Sequence, residues 1–172
     1  NSTDNPLMGS AGSIKWDTQG ITVSSAQASA WDFGNGPLTW EYVGVGESGG
    51  TDRHLFDCWS TRFLFRHSAG NIQVYTSFAS PLFDVAQAWP TSGTHHWAVG
   101  RNASNQWTLW YDGAVIGTAT NSGTFSATAA ELRLSSSGAG STVPGYGVFR
   151  ATKASRYAYN TNYTLPTSFP TS

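Results

Sequence analysis

The sequence predicts an all-β, antiparallel sandwich or barrel, and three observations carry that prediction. Apolar residues recur at every second position in short runs, clusters of Gly, Pro, Asn and Ser separate the runs at regular intervals, and no window sustains helical spacing. The clearest local signal is "NQWTLWYDGAVIGTAT" (residues 105–120). Its two alternating runs flank Asp112-Gly113, a pair that supplies the two positive φ angles of a type I′ hairpin turn. Alternation then puts Trp107, Leu109 and Tyr111 on one face, taken as core, and Thr108 and Trp110 on the other. Asp112 is expected to serve the turn, tolerating a left-handed backbone and bonding nearby amides.

The remaining strands follow from the same pattern. In order they are "SIKW" (13–16), "GITVS" (20–24), "LTWEYVGV" (38–45), "RHLFDC" (53–58), "TRFLFRH" (61–67) and "NIQVYTS" (71–77). "HHWAVGR" (95–101), "QWTLWY" (106–111), "AVIGTAT" (114–120), "ELRLS" (131–135) and "YGVFRAT" (146–152) complete the set. At 172 residues the chain is expected to form a single domain over 1–172, with loosely held ends near 1–12 and 166–172. It starts at Asn1 without Met, as a processed or excised piece would.

Composition narrows the chemistry. Charged residues are 11% of the chain and the formal net charge is −1, so hydroxyls and amides must solvate the surface, and no Lys/Arg cluster suits a run of phosphates. Nucleic acid is excluded as a partner on that ground. No apolar stretch reaches the ~20 residues that span a bilayer, which excludes membrane insertion by a helix. Cys58 is the one cysteine, so no intrachain disulfide forms, and it is expected to act as a small buried hydrophobe.

Three phrases in order then become recognisable: "WDFGNGPLTWEYVGV" (31–45), "HHWAVGRNASNQWTLWYDGAVIGTAT" (95–120) and "YGVFRATKASRYAYNTNYTLPTSFP" (146–170). They resemble the concanavalin A-like, laminin-G-type jelly rolls common in bacteriophage virion proteins. In that family a D-F-G-x-G-x-[FL]-T-x-E phrase opens a long strand, a W-H-H-x-A-x-x-R phrase leads into a Y-x-D-G hairpin, and an R-x-T-K-x-x-R-Y phrase precedes a proline-marked tail. The chain departs at Thr94, where the family often has Trp, and at Phe149, where an acidic residue is frequent. The resemblance implies a jelly-roll β-sandwich of the lectin and glucanase type at a virion surface, outside the cell.

Candidate chemistries are few. A retaining glycanase needs two carboxyl groups about 5–5.5 Å apart, which an E-x-D-x-x-E strand provides and this sequence lacks. Hydrolysis would need a pair assembled from separate strands, with Glu41 and Glu131 the residues to test. His95-His96 are adjacent on a strand and point to opposite faces, so they are expected to be structural, one bonded into the sandwich and one at its surface. His54, Asp57, Cys58 and His67 match no zinc spacing. No cofactor is expected. A loop calcium site around Asp52 is conceivable from the laminin-G resemblance without a motif to support it. The Asn-x-Ser/Thr sequons at Asn1, Asn102 and Asn162 are attributed to composition.

Eight Trp, seven Tyr and nine Phe exceed what two inner sheet faces are expected to hide, so some rings should lie outside. An exposed ring offers a flat apolar face to a sugar, with Asn, Ser and Arg bonding its hydroxyls. The candidate ligand-binding residues are Trp110, Trp59 and Tyr146, with Arg53 and Arg62 as polar partners; no residue is assigned to catalysis or to a metal. The expected role is non-catalytic: a virion surface protein that binds cell-surface polysaccharide or glycan during host adsorption, present as a homo-oligomer or in many copies. The alternatives are a capsid decoration or tail protein that contacts other virion subunits, a glycan hydrolase, and a eukaryotic laminin-G-like adhesion domain, which predicts occupied sequons.

Overall fold

Strand after strand pairs antiparallel until two six-stranded sheets lie face to face. The computed structural model describes residues 14–16, 21–23, 34–45, 52–58, 63–77, 80–123, 132–134 and 145–165, and backbone alone for 14–16, 21–23, 45, 58, 132–134 and 145–149. Spatial order in the first sheet is β1 (Ile14–Trp16), β12 (Gly145–Thr152), β3 (Leu38–Val45), β8 (Thr94–Arg101), β9 (Gln106–Tyr111) and β10 (Ala114–Thr120). The second runs β2 (Ile21–Val23), β11 (Leu132–Leu134), β4 (Asp52–Cys58), β5 (Phe63–Ser68), β6 (Asn71–Tyr75) and β7 (Pro81–Ala86). No helix occurs among the described residues, and the architecture is a jelly-roll-like sandwich, one of the two arrangements that the alternation allows and the one that the family resemblance implies.

All eleven expected strands form, each within two residues of its expected bounds. β7 was not expected. Pro81 and Asp84 disfavour a strand, but β7 is at a sheet edge and Pro81 is its first residue, where a missing N–H costs no ladder bond.

The core lies between the sheets. Trp40, Trp97, Val99, Trp107 and Leu109 of the first sheet meet Phe56, Phe63, Phe65, Ile72, Val74 and Phe83 of the second, every one of them buried. Trp40 packs edge-on to Phe56 with ring centroids 4.4 Å apart, so the largest rings interlock rather than merely fill space. The hairpin turn forms as expected, with φ of 48° at Asp112 and 79° at Gly113. Asp112 does more than turn the chain: its Oδ1 accepts the His96 amide at 2.8 Å, and its Oδ2 lies 2.7 Å from Nδ1 of His95.

A buried arginine organises one end of the sandwich. Arg101 donates Nε to Gly36 O at 2.9 Å, Nη1 to Gly123 O at 2.9 Å and Nη2 to Gly34 O at 2.7 Å. Carbonyls thus replace the hydration its charge loses on burial.

The outer face of the first sheet carries a third layer, which corrects the expectation of surplus exposed rings for the described ones. Residues 153–165 leave β12 and cross back over this face as a strap. Thr39 Oγ1 donates to Ala154 O at 2.8 Å, Thr108 Oγ1 accepts from the Asn160 amide at 3.1 Å, and the Tyr163 amide donates to Gly113 O at 2.9 Å. Gly113 is required twice, by its φ and because a Cβ would lie 2.2 Å from Tyr163 O. Among the described residues the exposed large hydrophobic side chain is Leu165, at 39%. The described aromatic rings are buried or half-buried.

Candidate functional site

The two outer faces of the sandwich differ in kind, and each is fixed by strand register. On the first sheet the outward column of β3, β8 and β9 includes Thr39, Glu41, His96, Thr108 and Trp110, all beneath the strap. Glu41 is fully buried and gathers the charges there: Arg150 Nε lies 2.6 Å from its Oε2, Arg150 Nη2 2.8 Å from its Oε1, and Arg156 Nε 3.3 Å from its Oε2. The Tyr157 hydroxyl also donates to Glu41, and His96 Nε2 is 3.4 Å away. Tyr163, stacked on Tyr157 at 3.7 Å, bonds His96 Nδ1 at 2.8 Å.

Burial by itself would raise the Glu41 pKa. The His96 imidazole 3.4 Å away, the hydrogen bonds from Arg150 and Tyr157, and the charge of Arg150 outweigh it and hold the carboxyl at about 2. Burial and the bond to this carboxylate push Tyr157 up to about 12. The cluster is a permanently ionised fastener with no open coordination. Glu41, one of the two carboxylates considered for hydrolysis, is therefore sealed from any substrate.

The outer face of the second sheet is partly open: His54, Asp57 and Leu64 on its β4–β5 side are buried, whereas Arg66, Gln73 and Tyr75 are half-buried and Asp84 on β7 is exposed. Register aligns His54, Arg66, Gln73 and Asp84 across β4, β5, β6 and β7, and in a neighbouring row Leu64 with Tyr75 across β5 and β6. Their neighbours along the strands, among them Phe65, Ile72, Val74 and Phe83, belong to the core, which is why alternate residues here face out. Arg66 Nε donates to Gln73 Oε1 at 2.8 Å and Nη2 to the Tyr75 hydroxyl at 3.3 Å, with the guanidinium 5.3 Å from the Tyr75 ring centroid. Gln73 Nε2 and Asn71 Nδ2 both donate to Asp84 Oδ1, at 3.2 and 2.7 Å. Arg66, Gln73, Tyr75 and Asn71 are half-buried and Asp84 is exposed, so the side chains are fixed in place while their outer edges meet solvent. His54 is nearly buried, and burial with the nearby Arg66 charge lowers its pKa to about 4 against the opposing pull of Asp52, leaving it neutral at physiological pH.

The sequence-derived candidates fall elsewhere. Trp110 does lie opposite the core face, as alternation required, but it is 2% exposed: Nε1 donates to Thr161 O at 2.9 Å and Tyr157 and Tyr163 flank it edge-on. Arg53 is 5% exposed and faces inward, paired in register with His67 and lying 5.0 Å from the Trp89 ring centroid. Neither can offer its side chain to a sugar in this arrangement. Tyr146 pairs with Lys15 on β12, its side chain outside the described residues. Trp59, Arg62 and Glu131, and the ends near 1–12 and 166–172, lie outside the described residues. His95 and His96 do point to opposite faces: His96 is 2% exposed and bonded beneath the strap, and His95 is half-buried. Among the described residues no three of His, Cys, Asp and Glu gather to hold a metal ion.

The residues of the open face were missed because no motif marks them: they come from three strands and meet through register. The available signal was alternation, since Arg66 in "FLFRHS", Gln73 in "NIQVY" and Asp84 in "PLFDVA" are polar residues more exposed than the residues on either side of them.

No family model matches the chain, and no curated protein matches it in sequence. Solved structures do match in fold. The carbohydrate-binding module CBM40 of the Ruminococcus gnavus IT-sialidase, bound to α2,3 sialyllactose, superposes with a TM-score of 0.59 at 14% identity, covering 85% of this chain and 95% of that one. The same module bound to α2,6 sialyllactose gives 0.61 at 11% identity, over 84% and 92% of the two chains. The binding domain of Paraclostridial Mosquitocidal Protein 1 gives 0.59 at 10% identity, covering 87% of this chain and 44% of that one. The sandwich is thus shared with carbohydrate-binding modules and a toxin binding domain, at identities that speak to fold alone.

Proposed function

We propose that the protein is a non-catalytic glycan-binding module and that the open face of its second sheet receives the sugar. The observation that carries the proposal is the Arg66–Gln73–Tyr75 and Gln73–Asp84–Asn71 lattice, in which donors, acceptors and a phenol ring are pre-positioned on a half-exposed sheet. Sugars need this combination of fixed hydrogen-bonding groups beside an aromatic face. Fold neighbours that bind sialyllactose support it, and the enclosure of Glu41 argues against hydrolysis.

A glycan array probed with the wild type and with Tyr75→Ala tests the proposal. Binding of a defined glycan subset that the variant loses, with its melting temperature retained, is the expected result. A protein silent across the array would overturn it. The virion-surface role extends this proposal on the strength of the three sequence phrases and requires many copies, because single sugar sites are weak and adsorption then comes from multivalency. Labelling of intact particles, with host-cell adsorption blocked by the free protein, is the expected outcome; a glycan-silent protein that binds capsid or tail shells would favour the decoration role instead.

A further inference from the structure

Resting on the proposal that the open face binds glycans, we infer that its ligand carries a carboxylate and that Arg66 is the residue that receives it. The basis is how Arg66 differs from Arg156 and Arg101. Arg156 is ion-paired to Glu41, and Arg101 is saturated by backbone carbonyls. Arg66 has no carboxylate within 4.0 Å among the described residues; its partners are the neutral Gln73 amide and Tyr75 hydroxyl.

A half-buried guanidinium is costly to leave without an anion, and its five N–H groups form a rigid fork suited to a planar carboxylate. Gln73 takes Nε and Tyr75 takes one N–H of Nη2. Three N–H groups remain, two on Nη1 and one on Nη2, along the edge that a carboxylate engages with two parallel bonds. On the β4 side the row is closed by His54, paired with Arg66 in register and 8% exposed, whose Nδ1 lies 4.0 Å from Asp57 Oδ2. The row continues through Gln73 to Asp84, two strands and therefore about 10 Å from Arg66. That span matches one to two sugar rings. A ligand with its carboxylate on Arg66 can place hydroxyls on the exposed Asp84 and a ring over Tyr75. Terminal sialyl groups and internal uronates share the required chemistry.

Calorimetric titration of the whole chain with α2,3-sialyllactose, an oligouronate, lactose and the methyl ester of sialyllactose separates the possibilities. The expected result is binding of one of the two acids, identifying the source, with lactose and the ester weaker by about tenfold or more. Arg66→Gln should weaken the acid by the same factor, so that the acid loses its advantage over the neutral ligands. The ester reads the charge on unaltered protein, so the outcome stands even if the variant unfolds. Neutral glycans bound as tightly as the acids would overturn the carboxylate while leaving glycan binding intact, as would an acid held equally well by a folded Arg66→Gln. Silence towards these ligands and across the glycan array would instead overturn the glycan proposal itself.

Discussion

The two outer faces of this sandwich are built on the same pleated geometry, yet one is closed and the other open. On the first sheet Glu41, His96 and Trp110 lie under a strap whose tyrosines and arginines satisfy them. On the second, the partners of Arg66 and Asp84 among the described residues are neutral side chains of their own sheet. What separates them is whether the chain supplies partners from above. Groups satisfied from above contribute to stability, and groups satisfied only from the side remain available to a ligand.

That contrast can be broken most forcefully at Glu41. Glu41→Ala leaves two arginines and a tyrosine hydroxyl without their acceptor, and urea denaturation should show a loss of about 3–5 kcal/mol. Next in size is the response to acid. Because the folded-state pKa is lowered from 4.5 to about 2, the unfolded chain binds the proton first; the stabilisation is complete above pH 4.5 and is lost as pH falls through 2. The loss is about 3 kcal/mol over that window by the usual conversion, and it should vanish from the pH profile of Glu41→Gln.

Smaller effects sharpen the comparison. Trp110→Phe removes the Nε1 bond to Thr161 O and should cost about 1 kcal/mol in thermal or urea unfolding while leaving glycan affinity unchanged. A loss of glycan binding in that variant would show that the strap opens to ligand. On the open face the balance reverses. Gln73→Ala should alter stability by about 0.5 kcal/mol or less, yet weaken glycan binding several-fold by calorimetry, because Arg66 and Asp84 both lose the amide that holds them.

The same comparison explains which residues could be found in advance. The three phrases that carry the family resemblance converge on fasteners: Thr39 and Glu41 from the first, His96 and Asp112-Gly113 from the second, Arg156 and Tyr157 from the third. Gly34 and Gly36 of "DFGNG" are the carbonyl partners of Arg101 in the second phrase. A fastener needs particular residue types at fixed chain positions, so it leaves a motif. The open face needs only polar residues at alternate positions on adjoining strands, which many sequences satisfy. Trp110 misled for a related reason: alternation correctly placed it outside the core, but no local pattern announces that a segment fifty residues later returns to cover it.

By itself the sequence determined the all-β class, eleven strands, the Asp112-Gly113 turn and the core face of its hairpin, because these depend on period-two alternation and on backbone preferences of neighbouring residues. Only the tertiary structure decided which outer face is covered, that Glu41 is an ionised fastener, and that Arg66, Gln73, Tyr75 and Asp84 meet. Those facts depend on register between strands and on the path of the strap, which are settled by contacts between residues distant in the chain.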